Sequence, residues 1–118
     1  MKTSELTGAA LDWAVAKCEN SDWSDEDCIV NVTTFDEYTG TICNYSTDWA
    51  QGGPIIEREW IEVVPWPNET DEGERWQATH HDLPHRVYCS GPTPLIAAMR
   101  CYVASKLGDE IEIPEELK

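Results

Sequence analysis

Between Ser90 and Gly108 the chain specifies one complete helix, with a start signal, an apolar stripe and a stop. Thr93 is placed to cap the first turn, and Pro94 stands at the first helical position, where its missing amide costs nothing. Ile96, Met99, Val103 and Leu107 recur at helical steps and form a core face, which Leu95 and Tyr102 widen. Lys106 in the last turn suits the negative helix end, and Gly108 supplies a left-handed stop. A domain built on this chain must therefore bury one long C-terminal helix against another layer.

The rest of the chain supplies that layer in shorter pieces. Thr7 reads as the N-cap of a first helix, with Leu6 and Leu11 able to clamp its entry. Leu11, Ala14, Val15 and Cys18 share one face. Trp13, with Ala9 and Ala16, forms a second apolar strip, to be covered either by the chain's own loop or tail or by a ligand or partner subunit. Residues 19–27 are acidic and aperiodic and read as a loop, without the oxygen spacing of a calcium loop. Residues 28–35, rich in β-branched side chains, read as a strand, with 38–43 pairing back through a turn at Asp36 and Glu37. Helical character returns at 55–60. Strands are expected at 61–64, 75–80 and 84–88, separated by an acidic turn at 68–74 and a turn around His81, Asp82 and Leu83. Residues 110–114 alternate apolar and acidic side chains, as an edge strand does. The expectation is a single α+β domain over residues 1–118, with a small, largely antiparallel sheet of four or five strands packed against two to three helices.

Three blocks of this sequence, 6–16, 45–57 and 90–108, resemble the NinX family of tailed phages and their integrated prophages. They include Leu6-Thr7-Gly8-Ala9-Ala10-Leu11-Asp12-Trp13 and Tyr45-Ser46-Thr47-Asp48-Trp49-Ala50-Gln51-Gly52-Gly53-Pro54, keep the family's order and cover about half the chain. The resemblance implies a small, dispensable phage accessory protein working in the bacterial host cytoplasm. It carries over no catalytic or binding residue.

Charge narrows the function classes. Of 118 residues, 23 are acidic and 8 basic, a formal charge of −15, which repels phosphate backbones and anionic membranes. Nucleic acid and membrane are thus not expected as partners. DNA mimicry, with carboxylates standing in for phosphates, fits the same balance. The five cysteines show no Cys-x-x-Cys pair, and the N-terminus carries no apolar leader, so a reducing compartment is expected. The sequons at Asn31, Asn44 and Asn68 would there go unused. His81 and His85 are four apart, but Pro84 between them spoils helical ligand geometry, and neither metal nor cofactor is expected. Cys89 with His85 could form a nucleophile pair, yet nothing local depresses the thiol pKa except the helix start that follows. No phosphate-binding loop or nucleophile elbow is present, and a non-enzyme is expected.

A binding surface has more support. Gly52 and Gly53 are costly in a helix, which points to a glycine-permitted corner or to a ligand too close for a Cβ. The turn Ser90-Gly91-Pro92-Thr93 presents hydroxyls and amides at a positive helix end. Tyr45 and Trp49 could stack on a base, Asp48 could accept from a ribose, and Arg58, Arg86 or Arg100 could answer a phosphate. The sequence reading is a non-catalytic binder, possible as a homodimer, that sequesters a small anionic, nucleotide-derived molecule as a counter-defence sponge. Its rival is an acidic protein–protein inhibitor or DNA mimic acting on a host protein.

Overall fold

The computed structural model describes residues 1–65, 75–81 and 86–118. Four α-helices occur among them: α1 (Gly8–Glu19), α2 (Asp25–Thr33), α3 (Trp49–Glu59) and α4 (Pro94–Leu107). Three strands, β1 (Ile61–Pro65), β2 (Trp76–His80) and β3 (Val87–Gly91), make one antiparallel sheet in that order. Ile61 stands opposite His80, and Ala78 opposite Cys89. The fold is α+β, as expected.

The C-terminal helix is the centre of the molecule. Thr93 Oγ1 accepts from the Ile96 amide at 3.1 Å, and Gly108 follows the last turn with φ 89°. Burial, however, is not confined to one stripe. Leu95 and every residue from Ala97 to Val103 are buried, because α4 touches all three strands on one side and α1 and α3 on others. Leu107, assigned to the core face by spacing, is instead exposed at the helix end.

Two glycines let α4 in this close. A Cβ on Gly52 of α3 would lie 2.5 Å from the Tyr45 carbonyl oxygen and 2.6 Å from Leu95 Cδ1. One on Gly91 would lie 2.7 Å from the Ala97 amide nitrogen. The expected break at Gly52-Gly53-Pro54 does not occur, and α3 runs straight through it. Gly53 makes this possible, since a Cβ before Pro54 would crowd the ring in helical geometry. Pro54 deprives the Ala50 carbonyl of its helical donor, a loss that costs less because Ala50 is an exposed residue.

The expected strand at 28–35 is helix α2. Ser24 Oγ accepts from the Asp27 amide at 3.1 Å, and Asp27 Oδ2 accepts from the Ser24 amide at 3.3 Å. This capping box, with three acids in the first turn, starts a helix despite the β-branched run that follows. Cys28 and Val32, one turn apart, are buried by it, and α2 packs on α1. Residues 38–43 form no strand either: a single bridge joins Asp36 to Thr41. The sheet thus has three strands among the described residues, where four or five were expected. The positions of Trp66, Pro67, 68–74 and 82–85, with their expected turns, lie outside those residues.

The remaining expectations resolve locally. Trp13 is buried, and its indole N–H donates to the Asp25 carbonyl at 3.3 Å, so α2 covers the second strip. Thr7 occupies the N-cap position of α1 without a side-chain cap, while Leu6 and Leu11 are both fully buried. Residues 109–111 pair with the first three: Thr3 N donates to Asp109 O at 2.7 Å, and Ile111 N to Met1 O at 3.0 Å.

Gly91→Ala forces a Cβ onto backbone, which cannot move aside, and is expected to cost about 3 kcal/mol. Gly52→Ala is expected to lose about 1–2 kcal/mol after its gain in helix propensity. Urea denaturation of the two variants and wild type measures both.

Candidate functional site

The residues expected to seat a ligand are engaged by the chain itself. Asp48 caps α3, its Oδ1 accepting from the Ala50 amide at 2.9 Å and its Oδ2 from Gln51 Nε2 at 3.2 Å. Gln51 also donates to the Ile42 carbonyl at 2.8 Å, which ties the preceding loop to the helix. Tyr45 is half-buried against the core, and burial first, then Cys43 beside it, pushes its phenol pKa up. Thr93 caps α4. Arg100 neither faces solvent nor reaches outward: it is buried, with Nε donating to Leu6 O at 2.7 Å and Nη1 to Ser90 O at 2.9 Å. Gly52 and Gly91 both lie against the first turns of α4, so the two glycine positions share a neighbour, and each is closed by the chain itself. Trp49, in contrast, is 54% exposed.

A cluster that the sequence did not reveal joins the C-terminal ends of three helices to the sheet. Arg58 of α3 grips Glu19 of α1 with two nitrogens, at 3.1 and 2.6 Å, a bidentate pair. Tyr102 of α4 donates to the same carboxylate at 2.5 Å. Glu59 accepts from Arg58 Nε at 3.1 Å and pairs with Lys106 at 3.3 Å. His80 Nε2 stands 3.2 Å from Glu59, while its Nδ1 is buried with no hydrogen-bond partner among the described residues. His80 closes β2, inside the strand expected over 75–80, and is buried there. The Arg58 and Lys106 head groups stand 5.8 and 5.9 Å from the Tyr102 ring centroid.

Electrostatics set what this cluster can do. Burial alone would raise the Glu19 carboxyl, but hydrogen bonds from Arg58 and Tyr102 outweigh it and hold the pKa below the ordinary value. Glu59 is lowered in the same manner, with burial offset by His80, Arg58 and Lys106. Both carboxylates are therefore weak bases at neutral pH, poorly suited to taking protons. The Tyr102 phenol is pushed up, chiefly by burial and then by Glu19, and stays a donor. Burial pushes the Cys18 and Cys101 thiols up to about 12, which leaves these two protonated and poor nucleophiles at neutral pH. Among the described residues no group of three or more His, Cys, Asp or Glu could hold a metal ion, and no helix is long and apolar enough to cross a membrane. The cluster is a clasp: Arg58 and Glu59 are adjacent and Tyr102 and Lys106 lie one turn apart, but the contacts that join different elements, from Glu59–His80 to Glu19–Tyr102, span 21 to 83 residues.

The outer surface differs. Large apolar side chains stand exposed at Val30, Phe35, Tyr38, Trp49, Trp60 and Tyr88. Trp60 is 73% exposed although its backbone is left-handed, φ 57°, where glycine is at ease and an indole is strained.

Among the described residues a three-stranded antiparallel sheet packs on one central helix, joined at the helix ends by partly exposed ion pairs, in a small, strongly acidic α+β domain. The family model described as Bacteriophage P22, NinX matches residues 2–106, all of the helices and strands except the end of α4. The chain belongs to the NinX family. No curated protein matches it.

Lowered carboxylate pKa values stabilise the fold above pH 4.5, and that contribution is lost as the pH falls through the lowered values. Wild type is therefore expected to exceed Glu19→Gln in stability at pH 7, by a margin that narrows progressively below pH 4.5; urea titrations at several pH values measure it. Asp12, raised by burial against its Ser46 hydrogen bonds, works in the opposite direction and is common to both proteins. Separately, Arg100→Met strands two buried carbonyls and is expected to cost about 3 kcal/mol, read by the same denaturation.

Proposed function

We infer that this phage accessory protein is a non-catalytic binder of a host protein, its acidic exterior pairing with a basic surface of the kind that grips nucleic acid. The observation that carries this reading is the set of exposed aromatic side chains on a surface of formal charge −15. Exposed aromatics amid charge are what a protein-recognition surface offers: indoles and phenols anchor, and complementary charge steers the encounter. The basic residues do little to dilute the field. Lys17, Arg58, Lys106 and Lys118 are each paired with a carboxylate, and Arg100 is buried.

Sequestration of a small nucleotide-derived anion fits the geometry less well. A guest seated on Gly52 or Gly91 would have to displace Leu95 or the backbone of α4, and Arg58 would have to leave Glu19. The bacterial host cytoplasm remains the proposed place of action, by family context.

Affinity for a partner purified with this chain from host cells is expected to fall about tenfold between low and moderate salt. Glu26→Gln, Glu112→Gln and Glu116→Gln together should weaken it likewise; these acids are exposed, and none of them caps a helix. Nucleotides and cyclic nucleotide signals should leave the melting temperature unchanged. Stabilisation by any of them, lost in Trp49→Ala, would instead restore the small-anion reading.

A further inference from the structure

Beyond the end of α2 the chain makes a tight, heavily hydrogen-bonded turn. Asp36 Oδ1 accepts from the amides of Tyr38 and Thr39 at 2.8 and 3.4 Å, and Asp36 O accepts from Gly40 N at 2.7 Å. Gly40 closes it with φ 71°, and the Asp36 amide donates to Thr41 O at 2.8 Å. This turn carries Tyr38 at its tip, fully exposed. Phe35 just before it is 56% exposed, and Val30, one turn back in α2, is 55% exposed. These three line a cleft of about 320 Å³ that Asp36 and Glu37 also border.

Single exposed apolar groups need no explanation, but three sharing one cleft on a preset backbone do. Folding offers no reason for Tyr38, which packs on nothing. Two aromatic rings beside two carboxylates make the complement of a cation: ring faces attract it, and carboxylates accept its N–H groups. A planar guanidinium uses both features at once, stacking on a ring while it donates in its own plane. Anionic guests are repelled by the same carboxylates.

We propose that the Phe35–Tyr38 cleft is a docking point for an arginine side chain projecting from the basic surface of the host partner. The proposal rests on the acidic-binder reading and gives that reading an address. Phe35 and Tyr38 flank the guanidinium, and Glu37 accepts from it. Val30 covers the aliphatic stem. Asp36 serves mainly to hold the turn, so its removal would disturb the site indirectly.

The test uses the full chain, isotopically labelled, titrated with N-acetyl-arginine amide and with its lysine and glutamate counterparts. The arginine probe is expected to shift amides of residues 30–38 saturably and more strongly than the lysine probe, with no such response to glutamate. Phe35→Ser combined with Tyr38→Ala should weaken arginine binding about fivefold, and Glu37→Gln about threefold. Unshifted α4 amides in the variants show that the fold is intact. Equal response to all three probes, no response at 30–38, or undiminished binding by the double variant overturns the proposal. If the salt-sensitive host complex forms equally well with the double variant, the cleft is overturned while the acidic-binder reading stands.

Discussion

Everything in this molecule is referred to the close approach of α4 to its neighbours. Two absent Cβ atoms, at Gly52 and Gly91, admit the first turns of that helix to van der Waals contact with α3 and with the end of β3. Arg100, one turn further along, binds the Leu6 and Ser90 carbonyls, so the entry to α1 and the edge of the sheet are fixed to the same helix. A helix surrounded in this way has no wet face to speak of, which explains why alanines stand beside larger residues along it. Ala97 and Ala98 are buried completely, and bulkier side chains there would hold the neighbouring elements apart.

The opposite ends of the helices are held by charge instead of close packing. Glu19, Arg58, Glu59, His80, Tyr102 and Lys106 satisfy one another in a chain of contacts that spans α1, α3, β2 and α4. Arg58 and Lys106 lie in the last turns of their helices, where the helix dipoles favour cations. The acids are thereby held below their ordinary pKa values and stay ionised at neutral pH. Lys17, Arg58, Lys106 and Lys118 are engaged in pairs with carboxylates, while acids such as Glu26, Glu112 and Glu116 stand exposed.

Much of this was legible in the sequence where signals are local. The cap at Thr93, the strands at 61–65 and 76–80 and the burial of Leu6 and Leu11 follow from residues a few positions apart. The helix α2 was also legible, through Ser24 and Asp27, but β-propensity over 28–35 outweighed a two-residue cap in the reading, and the burial of Cys28 and Val32 on α1 decided otherwise. The glycines show the limit most plainly. At Gly52 the sequence leaves a corner and a close approach both open, and at Gly91 it offers only a turn at a helix start; the object that approaches each is the chain's own α4, about forty residues away at Gly52 and less than two turns away at Gly91. The contacts of the clasp that join one element to another had no local signal, since a glutamate at 19 and a tyrosine at 102 meet only in space.

The tryptophans carry one more consequence. Trp13 lies in the interior with its indole N–H on a backbone carbonyl, whereas Trp49 and Trp60 stand in water at the two ends of α3. The fluorescence of the chain therefore has an inner and an outer channel. Loss of tertiary structure opens Trp13 to quenchers, while covering of the outer face shields Trp49 and Trp60 and leaves Trp13 as it was. One optical experiment, read at two quencher strengths, separates unfolding from association.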